Sequence, residues 1–450
     1  MRIVIVGAGQ VGFHLSRHLS LEGHDVVVID RDPERIRRIE RELNVLPLLG
    51  SGASAKILEE AGIDRADLFI AVTNSDEVNL ISCLISKEYG VKRLVARVRN
   101  EEYLSPGSPL NEEKLGIDLL INPDRVMAEE IVQISQVSEA FEVVEFVRGR
   151  VALLGYQVKE DNPVCGLSLA ELKGLRGIYD FVVVAIVRDG QTIIPRGQDV
   201  IRPEDKIYVV VRKSDIAAIE YLLNFTSRAP KLVFIIGGGR VGFLVARQME
   251  AKHIDVRLVE TNRERCEELS ERLSQSIILN FDGLDAQELI EEGIDQADLV
   301  IAVTDSDTTN ILASLLAKHH GARKCITRID RPDFIPLLGK LGIDIALSPR
   351  LVVASQILRF VRRGAILSVA TLLGSEAEVV EIVVPPSKRF QQGVALKDLP
   401  FPSGAIVGAV TRGSEVIIPS GETILKPGDD LVIFSLREAV SGIEKIFAPE

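Results

Sequence analysis

An apolar strand that enters a G-x-G-x-x-G turn, passes through a helix and returns as a second apolar strand ending on a carboxylate occurs twice in these 450 residues. Residues 2–30 read RIVIVGAGQVGFHLSRHLSLEGHDVVVID and residues 232–260 read LVFIIGGGRVGFLVARQMEAKHIDVRLVE. The glycines are Gly7, Gly9 and Gly12 in the first copy and Gly237, Gly239 and Gly242 in the second, with the acids Asp30 and Glu260 18 residues beyond the third glycine each time. The first glycine allows the tight strand-to-helix turn, the second lets a pyrophosphate approach the backbone, and the third lets helix and strand pack closely. This is the mononucleotide-binding βαβ pattern of Rossmann folds.

Phosphates would sit at the helix N-terminus, where unpaired N–H groups and the positive dipole end favour anions. Asp30 or Glu260 would accept from ribose hydroxyls and repel a 2′-phosphate, so NAD(H), ADP or ATP fits better than NADP; Arg31 beside Asp30 weakens that exclusion slightly. A lone glycine motif also serves plain strand-to-helix packing. Strand, helix and acid recurring together, 230 residues apart from Gly7 to Gly237, weigh toward nucleotide binding by at least one copy.

The length suggests three or four domains at about 100–200 residues each, and the repeat favours four. With 46% hydrophobic and 26% charged residues the chain reads as globular, and a formal charge of −12 argues against a nucleic-acid surface. A strand beginning within two residues of Met1 leaves no room for a signal peptide. Apolar runs such as Phe181–Val187 fall far short of the roughly 20 residues that span a bilayer. Cys83, Cys165, Cys266 and Cys325 show no CxxC spacing and are expected to be buried reduced thiols. The six histidines, His14, His18, His24, His253, His319 and His320, show no metal-ligand pattern.

Asp32 and Pro33 predict a helix start that runs through Leu43, whose arginines (Arg35, Arg37, Arg38, Arg41) are expected on a solvated face. A strand follows near Val45–Leu49, then the loop Gly50-Ser51-Gly52. LFIAVT at Leu68–Thr73 and LVIAVT at Leu299–Thr304 have the unbroken apolar character of parallel strands covered on both faces. The loops after them, Asn74-Ser75-Asp76 with Asn79 and Asp305-Ser306-Asp307 with Asn310, lie where strand ends face the ligand crevice; they either hold nucleotide or cap the next helix. Arg97 and Arg328 end the next strand, placed to meet phosphate or to pair with an acid.

Asp124–Ser138 and Arg350–Arg363 read as helices leaving each Rossmann unit, with Val126, Ile131 and Ile134, or Val353, Ile357 and Phe360, along one side for packing against a partner or the parent domain. Two smaller modules repeat as well: FVVVAIVRDGQTIIP at Phe181–Pro195 and AIVGAVTRGSEVIIP at Ala405–Pro419 are hairpins, echoed by Gly197 and Gly421 and by Pro203–Asp205 and Pro427–Asp429. Effector binding, oligomer contact and inert packing all suit them. The fold class is therefore α/β: a tandem duplication of a Rossmann-like domain followed by a small α+β domain, with expected bounds 1–123, 140–224, 231–349 and 367–450. Two such half-chains make an internal pseudo-dimer.

This order resembles the RCK or KTN family of potassium-transport regulators, and most closely its TrkA type. The resemblance covers essentially the whole chain and is carried by VGAGQVG at Val6–Gly12, AVTNSDE at Ala71–Glu77, AVTDSD at Ala302–Asp307 and IIP at Ile193–Pro195 and Ile417–Pro419. It implies a non-catalytic, cytoplasmic homo-oligomer, a dimer of tandem chains or a tetramer. That assembly would sit at the inner membrane face beneath a separate Trk-type potassium transporter subunit, gated by NAD(H), ADP or ATP. By position, Gly7, Ala8, Gly9, Gln10, Val11, Asp30, Thr73, Asn74 and Arg97 would hold nucleotide in the first unit. Gly237, Gly238, Gly239, Arg240, Val241, Glu260, Thr304, Asp305 and Arg328 would do so in the second. Arg240 where the first copy has Gln10 is expected to suit ATP or ADP at the second site. The alternatives are a nicotinamide-dependent oxidoreductase, for which no histidine falls at the carboxyl end of a strand, and a scaffold with vestigial nucleotide folds.

Overall fold

The computed structural model describes residues 1–103, 112–137, 140–147, 149–174, 180–225, 230–361, 366–371 and 377–447. The first Rossmann half comprises β1 (Arg2–Val6), α1 (Gln10–Leu21), β2 (Asp25–Asp30), α2 (Pro33–Glu42), β3 (Leu46–Leu49), α3 (Ala55–Glu60), β4 (Leu68–Ala71), α4 (Asp76–Glu88), β5 (Leu94–Arg97), α5 (Glu112–Leu115), β6 (Leu119–Ile121) and α6 (Pro123–Ser135). The second repeats it as β7 (Leu232–Ile236), α7 (Arg240–Glu250), β8 (Asp255–Val259), α8 (Arg263–Arg272), β9 (Ile277–Leu279), α9 (Ala286–Glu291), β10 (Leu299–Ala302), α10 (Asp307–His319), β11 (Cys325–Arg328), α11 (Ile335–Leu338), β12 (Ile345–Leu347) and α12 (Pro349–Val361).

Both sheets are parallel, in the orders β3-β2-β1-β4-β5-β6 and β9-β8-β7-β10-β11-β12. Strand order reverses between β1 and β4 and between β7 and β10, which opens a crevice at the carboxyl ends of the strands. The sequence fits this layering: Ile3, Val4, Ile5, Phe69 and Ile70 are fully buried, as central strands with helices on both faces require. Asp32 caps α2 by accepting from the N–H groups of Glu34 and Arg35, with Pro33 as the first helical residue; Asn262 caps α8 through Arg265 N.

The two Rossmann halves, Met1–Val132 and Lys231–Val361, form one compact unit, and Gln133–Pro230 with Arg362–Glu450 form another. In the first unit α12 leaves the second half and packs against α1 of the first. Val353, Ala354, Ile357, Leu358, Phe360 and Val361 join the core that holds Ile3, Ile5, Leu15 and Leu19. The apolar stripe of α12 thus packs against the other half. Arg93 locks the end of α12 by donating to the carbonyls of Phe360 and Val361, its guanidinium lying over the Phe360 ring. Of the expected exit-helix bounds, Ser138, Arg362 and Arg363 lie outside the described residues.

In the second unit each small module is a five-stranded antiparallel sheet. One orders its strands 191–193, 181–188, 206–212, 151–157, 142–146, and the other 415–417, 405–412, 430–436, 377–383, 366–371. The hairpins at Phe181 and Ala405 are present. A common core joins Leu153, Val184, Tyr208 and Val210 of one module to Val379, Ala409, Val432 and Phe434 of the other. The paired arginine and aspartate of the echo have a structural use: Arg188 clasps buried Asp205 at 2.8 and 2.7 Å, and Arg412 clasps buried Asp429 at 2.8 Å twice.

Ile357→Ala should destabilise the first unit by about 2–5 kcal/mol in urea unfolding followed by circular dichroism. Leu312→Ala, half-exposed on α10, should change it by under about 0.5 kcal/mol. Among the cysteines, Cys83 and Cys325 are fully buried and Cys165 is half-buried. Burial pushes the Cys83 thiol up, with Asp118 adding, and takes Cys325 up to about 12, with Asp344 adding and Lys318 opposing. A thiol reagent at pH 8 should therefore label Cys165 first; labelling of all three at one rate would mean that the cores open readily.

Candidate nucleotide-binding crevices

Each crevice begins at its glycine turn. Gly7 has φ 107° and Gly237 φ 109°, a region where side chains are strained. A Cβ on Gly12 would lie 1.7 Å from the Gly7 carbonyl oxygen, and one on Gly242 2.0 Å from that of Gly237, so the third glycine is required by contact between helix and turn. The second glycine differs: around Gly239 nothing lies within 4 Å, and at Gly9 only the Arg35 guanidinium approaches, at 3.9 Å. Those positions face open space, as a backbone that receives a ligand would.

The acids at the ends of β2 and β8 grip the turns. Asp30 Oδ2 accepts from Ala8 N at 2.6 Å and Oδ1 from Asp32 N at 2.9 Å. Glu260 does the same with Gly238 N and Asn262 N, both at 2.8 Å. The longer glutamate reaches the corresponding amide, and a Cβ on Gly238 would fall 2.6 Å from Leu269 and 3.0 Å from Glu260 Oε2.

The loops after β4 and β10 are tied by buried asparagines. Asn79 Oδ1 accepts from Thr73 N and Oγ1, and its Nδ2 donates to the carbonyls of Thr73 and Arg97; Asn310 repeats this with Thr304 and Arg328. Ser75 and Ser306 cap α4 and α10. Arg97 donates to Thr73 O and Asn74 Oδ1, both at 2.8 Å, and Arg328 to Asp305 Oδ1 at 2.9 Å. Burial lowers the Arg97 guanidinium from its ordinary value and Arg99 adds to this, while Asp76 and Asp124 oppose it. Of the two roles open to these loops, capping and bracing are filled by Ser75, Asn79 and their counterparts.

In the second half the crevice is a cavity of about 710 Å³, in the size range of cofactor sites. It brings together Gly237, Gly239, Arg240, Val241, Glu260, Thr304, Asp305 and Arg328 of the expected set. Gly238 lies behind that wall, its carbonyl accepting from Arg265 Nε at 2.8 Å.

Three features lie beyond the expected set. Arg35 keeps its expected place on an exposed face but reaches back to two carboxylates, 3.3 Å from Asp32 and 3.6 Å from Asp30; Arg265 holds the matching place in the second half. Their common position, three residues after the helix cap, was the available signal. Gly52 and Gly283 close the crevice floor, where a Cβ would fall 2.2 Å from Val6 and 2.4 Å from Ile236. Arg99 and Asp124, from the first half, line the cavity of the second.

The fold and site define a tandem pair of dinucleotide-type Rossmann halves, each followed in sequence by a small antiparallel module. Residues 3–123 and 233–349 match the TrkA-N domain, and residues 153–224 and 379–448 match the TrkA-C domain. The chain is 38% identical over 448 residues to the Trk system potassium uptake protein TrkA homolog of Archaeoglobus fulgidus, covering 99% of this chain and 100% of the relative. It is 35% identical over 451 residues to the Trk system potassium uptake protein TrkA of Halomonas elongata, covering 99% and 98%. The chain belongs to the TrkA family. Its fold matches the GsuK RCK domain with a TM-score of 0.61 at 22% identity, covering 99% of this chain and 95% of that one. It also matches a GsuK channel bound to NAD at 0.62 and 21%, covering 99% and 79%.

Gly242→Ala should lower the unfolding midpoint strongly, since the clash with Gly237 outweighs the roughly 1 kcal/mol that alanine gains in a helix. Gly239→Ala should cost under about 1 kcal/mol. Equal losses in thermal unfolding would remove the distinction between a packing glycine and an open one.

Proposed function

We propose that this protein is a nucleotide-binding regulatory subunit that acts on a separate potassium-conducting membrane protein by changing conformation when its Rossmann crevices are filled. The second-half cavity carries the reading: it lies at the carboxyl ends of parallel strands, beside a helix N-terminus, with an open glycine, a ribose-type acid and several arginines around it. Those groups fit a nucleotide. Gly239 leaves backbone free to approach, Glu260 offers acceptor oxygens, and Arg240, with Arg265 and Arg328 holding the walls beside it, makes the crevice cationic. Gly7 through Val11, Asp30, Thr73, Asn74 and Arg97 make the equivalent set in the first half.

The names of the full-length relatives, Trk system potassium uptake proteins, support a role in potassium transport. A GsuK channel of the same fold is described as bound to NAD, which supports NAD(H) as one ligand. Among the described residues no helix is long and apolar enough to cross a membrane, so in this reading the ion path belongs to another polypeptide. The role is regulatory rather than catalytic: no bond needs to break, only one arrangement of the subunit must bind nucleotide better than another. We assign the protein to the cytoplasmic side of the membrane, as a homo-oligomer on its transporter partner, with domains at 1–123, 140–224, 231–349 and 367–450.

Calorimetric titration with NADH and with ATP tests this directly. Saturable binding is expected, with one site lost in Asp30→Ala and another in Glu260→Ala. If neither ligand binds, the regulatory reading falls and a scaffold remains. Substrate-dependent NADH oxidation would instead point to an enzyme.

A further inference from the structure

The second crevice is not built from the second half alone. Arg99 follows β5 of the first half, two residues beyond Arg97, and Asp124 lies in the first turn of α6. Both are fixed from behind: Arg99 N donates to Asp76 Oδ2 at 2.9 Å, Asn122 Nδ2 donates to Arg99 O at 3.1 Å, and Asn122 Oδ1 accepts from Asp124 N at 2.9 Å. Their side chains line the second cavity.

There the Asp124 carboxylate lies 4.0 Å from Arg99 Nε and 3.9 Å from Arg240 Nη1, outside hydrogen-bond reach of both. The Asp124 side chain is 17% exposed, whereas those of Arg99 and Arg240 are 48% and 69% exposed. Arg265 and Arg328 are committed elsewhere, to the Gly238 carbonyl and to Asp305. Asp124 therefore balances Arg99 and Arg240 by charge without binding either closely, and it acts on Arg97 by charge as well. Loose exposed ion pairs of this kind are worth little, while a phosphate taken by two guanidiniums in direct contact is worth far more. The arrangement is not duplicated: Asp330, whose N–H bonds Asp307 as that of Arg99 bonds Asp76, and Arg350 at the start of α12 exchange the signs.

We propose that Arg99 is a phosphate ligand which the first half supplies to the second crevice, and that Asp124 holds Arg99 and Arg240 in readiness until a nucleotide phosphate displaces its carboxylate. This rests on the nucleotide-binding reading and adds to it the groups that discriminate ligands by phosphate charge. ATP, with more negative charge than a dinucleotide, gains most from the exchange. Because Arg99 and Asp124 belong to one half and Arg240 to the other, filling the second crevice replaces a contact between halves with one through the ligand.

The test titrates the full chain carrying Asp30→Ala, so that the second crevice reports, with ATP and NADH, in the presence and absence of Mg²⁺. Arg99→Gln should weaken ATP about tenfold and NADH by no more than about twofold, and Arg99→Lys should recover part of the loss. Asp124→Asn should tighten ATP about three- to tenfold by removing the competing charge. Ligand-free unfolding midpoints identify any variant whose loss is one of folding, in which case Arg99→Lys carries the comparison. Unchanged ATP affinity in Arg99→Gln overturns the proposal. So does weaker ATP binding in Asp124→Asn, which, if confined to Mg²⁺ solutions, would make the carboxylate a cation ligand. If Glu260→Ala leaves ATP and NADH binding untouched, the nucleotide reading of this crevice fails with it; if only Arg99→Gln is silent, that reading stands.

Discussion

The seating of α12 against α1 governs the first unit. Two Rossmann halves with only polar surfaces facing each other would be joined weakly, at the scale of interfaces between domains that move freely. Six apolar residues of α12 sharing a core with Ile3, Ile5 and Leu15 make them instead parts of one hydrophobic body. Burial of each of the larger ones, Val353, Ile357, Leu358, Phe360 and Val361, contributes about 1.5–3 kcal/mol. The same arrangement brings α6 of the first half to the start of α7 in the second, where Asp124 meets Arg240. The interdomain character of the second crevice thus follows from how the halves bury their exit helices.

Glycine chemistry and strand patterning made much of this readable beforehand. Gly12 and Gly242 could be assigned to packing and Gly9 and Gly239 to open approach because the roles follow from the motif's local geometry. Asp30 and Glu260 could be placed because a strand end fixes its last side chain. Helical periodicity put Arg35 on the exposed face it occupies, but its reach back to Asp30 and Asp32 escaped because periodicity fixes a face and not where a long side chain goes. Gly52 and Gly283 escaped because their need for no side chain comes from Val6 and Ile236, on other strands. Arg99 and Asp124 are legible least of all. Asp124 and Arg240 lie more than a hundred residues apart, and no local pattern announces a contact between repeats.

The two crevices share a frame and differ in charge. Asparagine pegs, serine caps and gripping acids repeat position for position, so the frame is what the duplicated fold needs to hold its loops. The differences, Gln10 against Arg240 and Arg99 with Asp124 against Asp330 with Arg350, fall on polar and charged side chains none of which is fully buried. Such positions are free to set ligand preference. Two sites on one frame with different charge sets are physically suited to read two anions rather than one anion twice.

Magnitudes limit what one crevice can do. A ligand shifts a two-state equilibrium only by its difference in affinity for the two states, and moving it from 1:99 to 99:1 takes a difference of about 10⁴. One arginine contact worth about tenfold, even if made in one state only, would supply at most about 1.4 kcal/mol of the roughly 5.5 kcal/mol required. About four such exchanges must act together to throw the switch. Under the proposed exchange, one Arg99–Asp124–Arg240 set would therefore have to act with other copies, or with further contacts that form in only one state. A switch of the proposed kind would be physically better suited to collective action in an oligomer than to acting alone.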